Sequence, residues 1–129
     1  MTLTGHSLGG YWAYSALFHN DTIGKNTFTN YYIGSPSMWA NTGGKFMSTY
    51  EDEYYNRTQT LNANVYVTVG ADEDKNFIFS IENFYNDLQG RNYSGLNLTY
   101  EKIEGYDHNT VFKPSIKNTL LMFYKKNSE

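Results

Sequence analysis

Residues 1–12 read Met-Thr-Leu-Thr-Gly-His-Ser-Leu-Gly-Gly-Tyr-Trp, and Gly5-His6-Ser7-Leu8-Gly9 at their centre fits the pattern G-x-S-x-G. In that pattern a serine occupies a sharp, strained turn between a strand and a helix, and small flanking residues let the backbone fold tightly. Residues 1–4 read as the end of a strand and residues 11–18 as a helix, which is the context the turn needs. The plain alternative is an ordinary glycine-rich turn. The remaining 117 residues, in which a base and an acid must be found, decide between the two.

Outward from this turn, residues 29–35 read as a short strand that Pro36 stops, and residues 45–57 as a helix beyond the glycine pair Gly43-Gly44. The β-branched run at residues 65–69 is the clearest strand and ends at Gly70. Phe77, Ile81, Phe84, Tyr85 and Leu88 share one helical face, with Gly90 where a helix commonly ends. Residues 98–104 form a further strand, Gly105 opens a loop to His108, and residues 111–124 carry Phe112, Ile116, Leu120 and Phe123 at helical spacing. Strand and helix alternate without repeat or linker, so the expected architecture is one α/β domain over residues 1–129 with a largely parallel sheet. In such a sheet, functional groups gather beyond the carboxyl ends of the strands. Ser7, Ser35, the acids after Gly70 and His108 all fall just past such ends.

Composition narrows the classes. With 129 residues, 40% of them hydrophobic and 18% aromatic, the chain has material for a real core. A formal charge of −3 with no long charged run leaves no electrostatic footprint for nucleic acid or an anionic membrane. No segment reaches the roughly 18 apolar residues that span a bilayer. The absence of cysteine removes disulfides, thiolate catalysis and cysteine-ligated zinc, and is compatible with cytoplasm and exterior alike. His6, His19 and His108 lack ligand spacing and the acidic run lacks a calcium-loop pattern, so no metal or cofactor is expected. The four Asn-x-Ser/Thr matches, at Asn20, Asn56, Asn92 and Asn97, are the chance yield of an asparagine-rich chain.

A serine hydroxyl is a weak nucleophile at neutral pH and needs a base, usually histidine, oriented by a carboxylate. The chain supplies Ser7, then Asp72-Glu73-Asp74, then His108. Serine, acid, histidine is the order associated with α/β-hydrolases, and the chymotrypsin-like and subtilisin-like orders differ. His6 lies inside the turn and His19 near the end of the following helix, so both read as structural or solvated. His108 sits in a loop from which a side chain reaches back over the sheet edge. The residues alone leave the acid open among Asp72, Glu73 and Asp74, while Asp107 reads as a residue that shapes the loop.

With these stretches in view, GHSLGG, YYIGSPSMW, VYVTVGADED and YEKIEGYDHNTVFKPSI together resemble the carboxyl-terminal half of the esterase D-like esterases, α/β-hydrolases that include ferric-siderophore esterases. The resemblance covers nearly the whole chain, and the spaced set is far more specific than any one motif. It implies Ser7 as nucleophile, His108 as base and Glu73 as the acid, with Asp72 and Asp74 as fallbacks. Related enzymes often carry paired tryptophans after the SPS loop; here Trp39 is followed by Ala40. Trp39 is expected to line the substrate pocket, whereas Tyr11, Trp12, Tyr31 and Tyr32 are expected in the core.

The implied reaction is two-step acyl transfer on a small ester, with the Leu8 N–H as one oxyanion donor. In the family the second donor comes from strands that precede the serine turn. The chain is therefore expected to be a domain truncated at its amino end, with the missing amino-terminal half as its natural complement and an apolar sheet edge open to self-association. An inactive fragment and an acyltransferase on the same scaffold are the competing expectations.

Overall fold

A computed structural model describes residues 1–22 and 27–124. The elements run β1 (Thr2–His6), α1 (Leu8–Leu17), β2 (Asn30–Gly34), α2 (Met47–Arg57), β3 (Thr60–Gly70), α3 (Lys75–Gly90), β4 (Ser94–Ile103) and α4 (Phe112–Tyr124). The four strands form one sheet in the order β1-β2-β3-β4, and every pairing is parallel.

Side-chain alternation along the strands assigns the two layers. Tyr31 and Ile33 of β2 and Leu61, Ala63, Val65, Val67 and Val69 of β3 point into the main core. There they meet Tyr11, Tyr14 and Leu17 of α1, Met47 and Tyr54 of α2, and Ile78, Ile81, Phe84 and Leu88 of α3. Each such aliphatic side chain contributes about 1.5–3 kcal/mol by leaving water. The intervening residues face α4: Tyr32 lies edge-tilted to Phe112, and the Thr68 hydroxyl bonds both Tyr32 and Ser115. A strand buried on both faces explains why β3 reads as a nearly continuous apolar run.

The structure differs from the sequence-based expectations at several points. The first strand runs on to His6 and α1 begins at Leu8, so the turn is reduced to Ser7 itself. β3 starts at Thr60 and β4 at Ser94, each several residues before its β-branched or apolar stretch. Trp12 is not core: it is 52% exposed and lines a second cavity of about 410 Å³ with Ala16, Phe28 and Tyr31. β1 places Thr2, Leu3 and Thr4 on the sheet edge, and large exposed apolar side chains include Trp12, Leu120 and Leu121 on the helices and Trp39 in the loop after β2. No helix among the described residues is long and apolar enough to cross a membrane.

Candidate active site

The parallel sheet brings the ends of all four strands to one place. Ser7 follows β1, Ser35 follows β2, Glu73 follows β3 and His108 follows β4. Ser7 stands at φ 62° and ψ −121°, a backbone state disfavoured for a residue with a side chain. Main-chain hydrogen bonds hold it there, among them one from the Tyr11 N–H to its carbonyl at 3.2 Å. Its N–H donates to the Gly34 carbonyl at 2.9 Å, and its own carbonyl accepts from Gly10 at 3.0 Å and Ser37 at 3.1 Å. A Cβ on Gly5 would lie 2.0 Å from the Gly9 carbonyl oxygen, so only glycine lets the strand enter the turn this closely.

The hydroxyl of Ser7 makes no capping bond to α1 although it stands at the N-cap. It lies instead 2.9 Å from His108 Nε2, while His108 Nδ1 lies 2.7 Å from Glu73 Oε1. Because a carboxylate only accepts, Nδ1 carries the proton and Nε2 presents its lone pair to the serine hydroxyl. Glu73 is 8% exposed, and its second oxygen, Oε2, accepts from Ser35 Oγ at 2.7 Å and from the Gly70 N–H at 2.6 Å. Both carboxylate oxygens are thus bonded within a buried pocket, the arrangement that makes a buried charge tolerable.

The three adjacent acids have separate situations. Glu73 turns inward to His108, Asp72 is exposed, and Asp74 caps α3 by accepting from the N–H groups of Asn76 and Phe77. Asp107 shapes its loop as expected, accepting from the N–H groups of Asn109 and Thr110 and the Thr110 hydroxyl. The loop is pressed onto the end of β3: a Cβ at Gly70 would lie 2.3 Å from the Tyr106 carbonyl oxygen, which accepts from the Asp72 N–H. Leu8 is the first residue of α1, so its N–H stands at the helix amino end beside Ser7.

These groups open on a cleft of about 420 Å³ lined by Ser7, Ser37, Trp39, Phe77 and His108, with Glu73 and Asp74 at its floor and rim. Trp39 is 69% exposed there. Phe77 packs edge-on against the His108 ring, 5.3 Å between centroids. Sequence reasoning placed Ser35 near the site without a role and missed Phe77. Ser35 carried a signal in its place directly after a strand, and Phe77 was absorbed into the apolar face of its helix. His6, read as structural or solvated, is structural, bonded to the His108 main chain. His19 bonds the Ser15 carbonyl on α1, away from the cleft. Among the described residues, no group of three or more histidine and acidic side chains is placed to hold a metal ion.

Three solved structures share this arrangement of elements. The BES protein from Bacillus cereus is 30% identical and superposes with a TM-score of 0.76, over 92% of this chain and 43% of its own. The chain has the α/β-hydrolase fold. An IroE-like serine hydrolase from Shewanella oneidensis is 17% identical, TM-score 0.76, over 96% of this chain and 40% of its own. The siderophore hydrolase EstA from Aspergillus nidulans is 22% identical, TM-score 0.74, over 99% of this chain and 48% of its own. The α/β-hydrolase fold that the four motifs implied is thus met in structure. The chain spans less than half the length of each of these proteins. No family model and no curated protein sequence matches it.

Proposed function

We propose that this chain carries the catalytic serine, acid and histidine of a carboxylic ester hydrolase. One observation supports the reading above the rest: the continuous relay from Ser7 Oγ through His108 to Glu73, at 2.9 Å and 2.7 Å. As Ser7 Oγ attacks the ester carbonyl carbon, its proton passes to His108 Nε2, and the imidazolium is stabilised by Glu73. The oxyanion takes a bond from the Leu8 N–H, aided by the positive end of α1. Collapse of the tetrahedral intermediate breaks the ester C–O bond, and His108 returns the proton to the departing alcohol. Water then attacks the acyl-serine by the same route in reverse order.

Trp39 and Phe77 offer apolar and aromatic surface to the acyl or alkyl group, consistent with an ester of an aromatic or siderophore-type acid. In this reading the chain is the carboxyl-terminal portion of one α/β-hydrolase domain, and the second oxyanion donor comes from an amino-terminal portion joined to it or associated with it. Losing one such donor commonly costs about a hundredfold to a thousandfold in rate, so the chain alone is expected to be a slow esterase.

The test is turnover of a p-nitrophenyl ester with and without an added acceptor alcohol, with both products quantified. Free acid and nitrophenol in equal amounts, with the rate lost about a thousandfold or more in Ser7→Ala, is the expected result. A new ester of the added alcohol as the main product would make the protein an acyltransferase. Absence of turnover by the folded chain would leave the inactive-fragment reading.

A further inference from the structure

His6 is the residue before the serine, and its ring is committed to the other side of the site. Its Nε2 lies 2.9 Å from the main-chain carbonyl of His108. Since a carbonyl only accepts, Nε2 must carry a proton. The imidazole is half-buried, 5.0 Å between centroids from the His108 ring and 5.4 Å from Phe112, which it meets edge-on. Its Nδ1 is buried without a hydrogen-bond partner among the described residues. A second proton would therefore put an N–H where nothing accepts it, beside the very ring that must become cationic during acyl transfer. The titratable groups facing it are His108 and Glu73; burial pushes the His6 imidazole down, opposed by its bond to the His108 carbonyl.

The main chain of the His108 loop is also held by the Asp72 N–H on the Tyr106 carbonyl and by the Asp107 turn, and neither of these main-chain anchors touches the serine corner. The His6 bond does. We infer that His6 is a positioning residue, whose Nε2–H ties the main chain at His108 to the serine turn and so sets the distance between His108 Nε2 and Ser7 Oγ. The inference rests on the serine hydrolase reading for its catalytic meaning. Its geometric content stands apart from that reading.

The experiment measures the rate of fluorophosphonate labelling of Ser7 from about pH 5 to pH 9, in wild type, His6→Gln and His6→Phe, with circular dichroism as a check on folding. Glutamine keeps an N–H near the place of Nε2, and phenylalanine keeps the ring and loses the donor. Labelling of the glutamine variant within about threefold of wild type is expected. The phenylalanine variant should be slowed about tenfold or more, with a displaced pH inflection, because small misplacements of a catalytic group are costly. A phenylalanine variant that labels at the wild-type rate with the wild-type inflection overturns the inference. Nitrogen NMR of His6 in the wild-type protein decides independently of any variant or labelling. A neutral Nε2–H tautomer at neutral pH supports the inference, and an Nδ1–H tautomer overturns it. Should wild type not label at all, the serine hydrolase reading falls, and the tautomer still decides whether His6 holds the His108 loop.

Discussion

At Glu73, two oxygens are divided between two tasks: Oε1 orients His108, while Oε2 is satisfied by Ser35 and the Gly70 N–H. Hydrogen bonds to a charged group contribute about 1.5–3 kcal/mol, and an unsatisfied buried acceptor costs a similar amount. Ser35→Ala is therefore expected to lower the rate of ester turnover about tenfold while leaving the fold intact; steady-state kinetics should show the loss in kcat more than in KM. Rates equal to wild type would mean that the Gly70 N–H alone holds the carboxylate. At this scale the serine and the histidine were legible in the sequence, because a strained turn demands its glycines and a lone loop histidine has few rivals. The acid was legible only through the family resemblance, which implied Glu73, since three adjacent carboxylates differ only in where the backbone turns. That choice is made by the capping bonds of Asp74 to α3 and the buried bonds of Glu73, both set by tertiary structure.

Among the elements, the strands are longer than β-branched runs announce. β3 begins at Thr60, which pairs with Ser94, and Asn64 is held in the sheet by its neighbours: its side chain donates to Asn30 on β2 and accepts from Asn97 on β4. Such a cross-strand ladder rewards asparagine where propensity alone penalises it. Helix α3 followed its apolar spacing, with Phe84 and Leu88 buried as the period requires, whereas α4 buries Ser115 and Thr119 and leaves Phe112 and Leu120 exposed. The link between α2 and the end of α3 is polar and was invisible in the sequence. Glu51 of α2 is 4% exposed, accepts a bidentate pair of bonds from Arg91 and takes a further bond from the Tyr93 hydroxyl at 2.6 Å. Glu51→Ala removes the acceptor of all three and leaves the Tyr93 hydroxyl unsatisfied. Because Arg91 remains partly in water, the expected loss is about 2–3 kcal/mol rather than the full cost of stranding a buried charge. A lower urea midpoint at unchanged slope would show it. An unchanged midpoint would mean that the network contributes nothing net.

For the whole molecule, alternation of strand and helix carried the architecture, since a parallel sheet requires a crossover between successive strands and little else fits such a pattern. The same alternation placed four loops at one end of the sheet and so predicted the neighbourhood of the site before any geometry was known. Exposure of Trp12, and of Leu120 and Leu121, was not legible, because spacing marks an apolar helix face without naming what covers it. The relay from Ser7 through His108 to Glu73 stands at the strand ends. It is tested most directly by exposing the folded chain to a fluorophosphonate and locating the adduct by mass spectrometry, with Ser7→Ala and His108→Ala alongside. An adduct on Ser7 in wild type, absent from Ser7→Ala and strongly slowed in His108→Ala, is the predicted result. A folded wild-type chain that takes no label, or a label that persists in Ser7→Ala, would contradict it.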